Sequence, residues 1–306
     1  MGIQFIFIAS IFVAASNLCF RKSIDQGGTS KAYLMIQLFL TFLVAILLNP
    51  VRTGNYEWSN CMGAFGLSGG IVLGIMMAIL GKALESGPAG LTFAILNSST
   101  VMPMIIMVLL FGSAFGYVYT TSNGVGSFLV VVGLFLAAAE TLKSKKMAKW
   151  VLFAFGAFIL HVIFLVFMQW RALFINFPGE NGLLISFATE DMVNEWFMPM
   201  VFLAATCIQS VIYITSLKRL PNRFEVMYGI LGGIANGIGT FFLIRATEVS
   251  TSFEHAIIFP LFSVTIILCC NLWGKWLYKE KINWKANAFC VLGLLIGTLN
   301  WKVLLG

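Results

Sequence analysis

A glycine-rich segment of twenty residues is written twice in this chain, and that duplication limits the available folds more than any other feature. GLSGGIVLGIMMAILGKALE (66–85) and GILGGIANGIGTFFLIRATE (229–248) align without a gap and agree at nine of twenty positions. Gly66, Gly70 and Gly74 recur at i, i+4 and i+8, as do Gly229, Gly233 and Gly237. On a helix that spacing leaves one bare stripe against which another backbone can close. Glu85 falls on Glu248, and Lys82 on Arg245. The likeness resumes after a three-residue slip, with Val131, Gly133 and Leu134 on Val291, Gly293 and Leu294. Repetition on this scale implies a duplicated architecture. It divides the chain into a first repeat (1–142), a short basic linker (143–149) and a second repeat (150–306).

The repeats sit in a chain with too few charges for a soluble domain. Charged residues make up 10% and hydrophobic ones 59%, with mean hydropathy +0.94, where soluble domains carry about 25% charged residues. Apolar runs of about 20 residues cross a bilayer as helices, which satisfy their own backbone. Such runs fall near 3–20, 32–50, 61–84, 88–111, 124–142, 150–174, 197–216, 224–247, 252–273 and 286–304. The expected fold is therefore an all-α integral membrane protein, with ten transmembrane helices arranged as two five-helix repeats. Five is odd, so the repeats insert with opposite orientation. Loop charge agrees: the loops after odd-numbered spans hold fifteen Lys and Arg, and the other side only Arg52, Arg171, Arg245 and Lys302. By the positive-inside rule the odd-numbered loops are cytoplasmic, and both termini and the acidic loop at 175–195 are outside. A multi-pass protein of a bacterial inner membrane is expected.

The same pattern excludes other classes. The net charge of +7 reports loop topology and lipid contact, since no basic cluster stands beside stacking aromatics in a polar segment, so no nucleic-acid partner is expected. Cys19, Cys61, Cys207, Cys269, Cys270 and Cys290 lie in or beside apolar runs without CxxC or CxxH spacing, and read as small hydrophobes rather than metal ligands. The apolar segment 1–20 has neither the basic start nor the clear cleavage site of a signal peptide. The Asn97-Ser98-Ser99 sequon lies inside a span. No phosphate-binding loop appears, so transport, if any, runs on a gradient, exchange or facilitated flux. Two histidines and scattered acids do not form an enzyme's acid–base or metal set. No cofactor is expected; a small-molecule substrate and the lipid bilayer are the expected partners, and the sequence leaves monomer and homodimer open.

Over nearly its whole length the chain resembles the EamA-like, ten-helix branch of the drug/metabolite transporter superfamily. The Gly-rich third and eighth spans and the short turn before the fourth carry the likeness. So does Lys279-Glu280-Lys281-Ile282 with Ala286 to Gly293, which is similar to the family's glycine–glutamate–basic signature with Lys279 in the glycine's place. The matching stretch of the first repeat, 112–120, has no Glu; the first span lacks a Trp-Gly pair; and Gln37 stands roughly where many members carry arginine. Many members are also thought to keep their termini in the cytoplasm, opposite to the charge bias. The resemblance implies a central cavity lined by spans 1, 3, 4, 6, 8 and 9, and alternating access for a small organic metabolite. An amino-acid-like or nucleoside-like solute fits the sparse charge. Export of cationic amphipathic drugs, or a non-transporting scaffold or receptor, are the alternatives.

Polar groups at mid-bilayer depth are costly and mark candidate sites. His161 is the ionisable residue nearest the middle of a span, and its ordinary pKa of about 6.5 suits substrate contact or proton coupling. Asn236 replaces the Leu73 of the first repeat. Asn97 and Ser99 cross the middle of span four; hydroxyls there commonly bond back to their own helix, which makes Asn97 the stronger candidate. Gln209 and Tyr213 share a face of a span that can be peripheral. Asn17, Tyr228 and Ser263 complete the substrate set, and Glu254 with His255 forms a possible proton relay. Lys82/Glu85 and Arg245/Glu248 are candidate gates on opposite faces, able to close within a helix or to latch a neighbour.

Overall fold

The computed structural model describes residues 2–112, 120–141, 145–176, 195–249, 252–279 and 284–298, and every regular element among them is helical. In chain order these are α1 (Gly2–Asp25), α2 (Ser30–Ile46), α3 (Asn60–Ser86), α4 (Ala89–Ser98), α5 (Met102–Phe111), α6 (Thr121–Thr141), α7 (Lys145–Asn176), α8 (Phe197–Ser216), α9 (Arg223–Val249), α10 (Ser252–Tyr278) and α11 (Trp284–Thr298). Among the described residues seven helices are long and apolar enough to cross a membrane: α1, α2 with its terminal π turn, α3, α7, α8, α9 and α10. Two others carry shorter apolar stretches, Gly124–Gly133 in α6 and Trp284–Gly297 in α11. The expected fourth span is divided into α4 and α5 of ten residues each. The acidic loop at 177–194, the stretch 113–119 and Glu280 lie outside the described residues.

Local chemistry sets the helix ends. Thr29 caps α2 by accepting from the Ala32 amide at 3.3 Å, and Ser59 caps α3 by accepting from the Met62 amide at 3.0 Å. Pro50 supplies no N–H, and the last turn of α2, Leu47–Val51, widens into a π turn around it. Two boundaries differ from the sequence reading. The first helix does not stop at Phe20 but runs to Asp25, supported by an Arg21–Asp25 ion pair at 3.1 Å. Within the expected linker at 143–149, Lys145–Lys149 is helical and forms the start of α7. After α10, Lys279 takes a left-handed backbone (φ 52°), the conformation a glycine occupies most readily.

The glycine stripes are where helices meet backbone to backbone. A Cβ on Gly66 would stand 2.8 Å from the Phe197 carbonyl oxygen and 2.9 Å from Met200 Cβ; on Gly74 it would lie 3.1 Å from Ile208 Cβ. Gly70 abuts the Val201 carbonyl and Ala204 Cβ. This seam joins α3 to α8, running parallel. The second stripe joins α9 to α2 in the same way. Gly229 meets Ile36 Cβ and the Tyr33 carbonyl, Gly233 meets the Gln37 carbonyl and Leu40 Cβ, and Gly237 meets Val44 Cβ. The glycines are 163 residues apart and each of their partners 164 apart: 33 and 197, 36 and 200, 37 and 201, 40 and 204, 44 and 208. A third contact, between α6 and α11, repeats the rule. Gly133 faces the Ala286 oxygen and Cys290 nitrogen, while Gly293 faces the Gly126 oxygen and Val130 nitrogen.

Around these seams α1 packs on α9 and α10, and α7 packs on α3 and α4. The core at one end is aromatic: Phe65 stacks on Phe167 (centroids 4.1 Å apart), Trp170 meets both edge-on, and the Arg171 guanidinium lies 4.3 Å over Phe197. The other end, where α1 finishes and α2 and α9 begin, carries Arg21, Lys22, Arg219 and Arg223, and is called the basic end below.

Candidate functional site

The break between α4 and α5 is the point where polar side chains from several helices converge. Pro103 has no N–H to offer the Ser99 carbonyl four residues back, so that oxygen takes the Met102 amide instead. The chain tightens into a 3₁₀ turn at Ser99–Val101, a geometry frequent at functional interruptions of helices. Polar backbone at membrane depth is tolerated where protein or a cavity surrounds it. Here the turn is surrounded by α6, α7, α10 and α11.

Ser99, fully buried, points its Oγ to His161 Nδ1 on α7 at 2.6 Å, and the same nitrogen lies 3.1 Å from the Leu96 carbonyl oxygen. A carbonyl can only accept, so a protonated Nδ1 satisfies Leu96 and leaves Nε2 as an acceptor. Thr100 Oγ1 stands 3.3 Å from the hydroxyl of Ser263 on α10, also fully buried. The Ser98 hydroxyl meets Cys290 on α11. One turn toward the basic end, Asn17, Phe93, Cys270, Trp273 and Tyr278 enclose a cavity of about 20 Å³, room for one water. Asn17 Nδ2 reaches Cys270 Sγ at 3.9 Å.

The expected ranking within span four is reversed. Asn97 donates back to the Phe93 carbonyl at 2.8 Å, while Ser99, whose hydroxyl was expected to bond back, crosses to another helix. The local break explains this, because Ser99 has left the α-helical register in which its i−4 carbonyl would be in reach.

Asn236 belongs to a second polar group, at the α2–α9 seam. Its Nδ2 donates to Thr41 Oγ1 at 3.3 Å, and Thr41 donates to the carbonyls of Gln37 and Gly233. Gln37 Nε2 donates to Ser16 Oγ at 2.9 Å, and Tyr33 donates to the Ser16 carbonyl at 3.0 Å. Gln37 Oε1 is buried without a partner. Ser16 adjoins Asn17 on α1, which links the two polar groups. Ser16, Gln37 and Thr41 were missed as a set by sequence reasoning, since each is an ordinary helix residue until α9 is laid beside it.

Other candidates are engaged elsewhere. Gln209 is fully buried and donates to the Gly74 carbonyl at 2.7 Å, so α8 is not peripheral. Tyr213 donates to the Arg219 carbonyl, and Tyr228 is half-buried against the core. Lys82 and Glu85 point apart: the ammonium lies 5.6 Å over the Phe153 ring, and Glu85 accepts from the Ser30 amide at 2.8 Å. Arg245 lines a cavity of about 110 Å³ at the aromatic end with Asn49, Arg52, Thr53, Glu195 and Phe241. The side chains of Glu248, Glu254 and His255 lie outside the described residues. At the basic end a bidentate contact from Glu225 holds the Arg219 guanidinium above its ordinary pKa. Among the described residues no group of three His, Cys, Asp or Glu side chains is placed to hold a metal ion.

No family model and no curated protein matches the sequence. A crystal structure of a protein 15% identical to this chain superposes on it with a TM-score of 0.59, covering 95% of this chain and 98% of its own. At that identity the likeness is one of fold alone.

Proposed function

We propose that the chain is a secondary transporter of a small organic metabolite, built as ten spans in two inverted five-helix repeats of the EamA-like kind. The observation that carries this reading is the interrupted fourth span, with Ser99 and Thr100 aimed at His161 and Ser263 on two other helices. Interrupted helices near the midplane are where transporters place their solute sites. The seams support the inverted arrangement. Each glycine of one half meets the repeat counterpart of what its mate meets. The glycine helices also run opposite ways, since α3 lies parallel to α8 and α9 parallel to α2, while Asn49 at the end of α2 bonds Met198 at the start of α8. Two equivalent packings about one site are what alternating access needs. The basic end faces the cytoplasm in this reading, in keeping with a bacterial inner membrane.

The solute class follows from the groups that converge. Hydroxyls, an imidazole and amides offer donors and acceptors without a fixed charge, so a neutral or zwitterionic solute of amino-acid-like or nucleoside-like character fits. A cationic amphipath would lack a carboxylate partner among the described central residues.

A thermal-shift panel of amino acids, nucleosides, nucleotides, sugar phosphates and cationic drugs on the detergent-purified protein tests the reading. A binder at a hundredfold excess over its dissociation constant adds about 2.7 kcal/mol of apparent stability. The expected hit is neutral or zwitterionic and drives uptake into proteoliposomes. Its shift falls in His161→Ala and Ser99→Ala, losing roughly 1–3 kcal/mol of binding as hydrogen bonds in a buried site are removed. A hit unaffected by both variants would move the site elsewhere.

A further inference from the structure

At the basic end a single carboxylate gathers five donors. Glu225, with no exposed surface, accepts on Oε1 from the Thr29 amide (2.7 Å), the Thr29 hydroxyl (3.0 Å) and Arg219 Nη2 (2.6 Å). On Oε2 it accepts from the Asn222 amide (2.6 Å) and Arg219 Nη1 (2.8 Å). Asn222 Oδ1 in turn accepts from the Glu225 amide at 2.8 Å, completing a reciprocal cap of α9. Thr29 is the N-cap of α2. One carboxylate therefore sits at two helix N-termini, where negative charge is favoured. The two helices come from different repeats. Asn222 adds a bond from its side chain to the Gly27 carbonyl at 3.4 Å, and Gly28 leaves room for the Glu225 side chain, where a Cβ would come within 2.9 Å of its Cγ.

Among the described residues the other end has no such device. Asn60 starts α3 as Arg223 starts α9, 163 residues on, so Ser59 and Met62 hold the places of Asn222 and Glu225. A thioether stands where the carboxylate would be, and the cap is a single hydroxyl. Described contacts between the repeats at that end include Trp196 Nε1 to the Tyr56 carbonyl at 3.4 Å, Asn49 to Met198 Sδ at 3.5 Å, and Trp58 edge-on to Trp196 at 5.8 Å. The cavity of about 110 Å³ opens there, against about 20 Å³ on the basic side of the central site.

We infer that Glu225 is the latch that holds the basic end shut, and that its release from Thr29 opens that end onto the central polar site. The inference rests on the transport reading for its purpose and on the five bonds for its existence. The sequence-level gate pair Lys82/Glu85 plays a lesser part, since both Glu85 and its partner Ser30 belong to the first repeat. Glutamine cannot replace Glu225 quietly, because its amide NH₂ would face donors in either orientation.

The test uses native Cys270, buried on α10 beside the 20 Å³ cavity and on a different helix from every latch residue. In sealed vesicles oriented with the basic end outward, a membrane-impermeant hydrophilic maleimide labels Cys270 slowly in the parent protein, as read by peptide mass spectrometry. In Glu225→Gln and in Arg219→Ala, whose side chain is 40% exposed, labelling rises by about tenfold or more, because charge-assisted bonds that favour the closed form are gone. Circular dichroism and melting confirm that both variants remain folded. Unchanged Cys270 labelling in folded Arg219→Ala and Glu225→Gln overturns the latch; so does a lowered melting temperature without faster labelling, which marks a plain helix cap. Faster labelling in a protein that moves no solute leaves the latch standing and removes the transport reading. Solute uptake with unmoved labelling does the reverse.

Discussion

The α3–α8 and α2–α9 seams have nearly the same backbone and very different chemistry. At both, three glycines one turn apart admit a carbonyl or a Cβ of the facing helix, at partners offset by the same 164 residues. At the α3–α8 seam the neighbours are Val201, Ala204, Ala205 and Leu73, and the buried side chain that hydrogen-bonds across it is Gln209. At the α2–α9 seam the corresponding surface carries Gln37, Thr41 and Asn236, joined to Ser16 of α1, and it ends in the Glu225 cluster. The two seams share the shape that close packing needs and differ in the side chains around it. Backbone approach constrains both copies alike, because a Cβ at Gly66, Gly70, Gly229, Gly233 or Gly237 would come within 3.0 Å of a carbonyl oxygen or a Cβ that cannot swing away. The proposed transport would need a difference, since two identical ends would leave nothing to distinguish the side from which a solute enters.

If the seams are equal in shape, equal insults should cost them equally. Gly70→Val and Gly233→Val each drive a branched side chain into a carbonyl oxygen, at Val201 and at Gln37. Overpacking at a rigid backbone contact costs about 1–3 kcal/mol and sometimes more, so both variants should lose most of the folded, monodisperse protein in fluorescence-detected size exclusion. One variant behaving as the parent would break the equivalence. A smaller effect separates the chemistries. Leu73→Asn places an amide where the facing helix α8 offers Ala205 in place of Thr41, and stranding buried polar atoms costs roughly 1–3 kcal/mol. The mirror change, Asn236→Leu, loses one 3.3 Å hydrogen bond and should lower the melting temperature less than Leu73→Asn does. The opposite order would mean that the polar seam, not the apolar one, sets stability.

The distinction between shape and chemistry also decides what could be read in advance. The helical class followed from run length and sparse charge, and the glycine stripes from their spacing at i, i+4 and i+8. Those are local properties, and the seams sit where the stripes are. Partner identity is not local: nothing in 30–46 announces that Tyr33, Gln37 and Val44 face the second stripe. The interruption of the fourth span was legible in principle from Pro103 following Asn97-Ser98-Ser99-Thr100, because proline removes the amide that Ser99 requires. Read as an unbroken helix, that segment pointed to Asn97; read as a break, it points to Ser99. Glu225 had a local signature too, Asn222 three residues before it at a helix start, which is a capping-box pattern. The second role of that carboxylate, capping α2 through Thr29, depends on a contact 196 residues distant in sequence.

The finest test of the comparison uses the two buried glutamines. Gln209 donates to the Gly74 carbonyl, and Gln37 donates to the Ser16 hydroxyl; each leaves its amide oxygen buried without a partner. A leucine in either place removes one hydrogen bond and one stranded acceptor together. Those terms oppose each other, so the stability change should stay within about 1 kcal/mol of zero in both variants. Ser16, relieved of Gln37, can turn its hydroxyl back to its own helix, and the Gly74 carbonyl lies within α3, where helical bonding already satisfies it. Melting curves of the two variants should therefore nearly coincide. Solute flux should not. Gln37 shares a network with Asn236 and with the neighbour of Asn17, so Gln37→Leu should slow uptake while Gln209→Leu leaves it unchanged. Equal uptake in the two variants would confine the working site to the break in the fourth span and reduce the α2–α9 network to a packing feature.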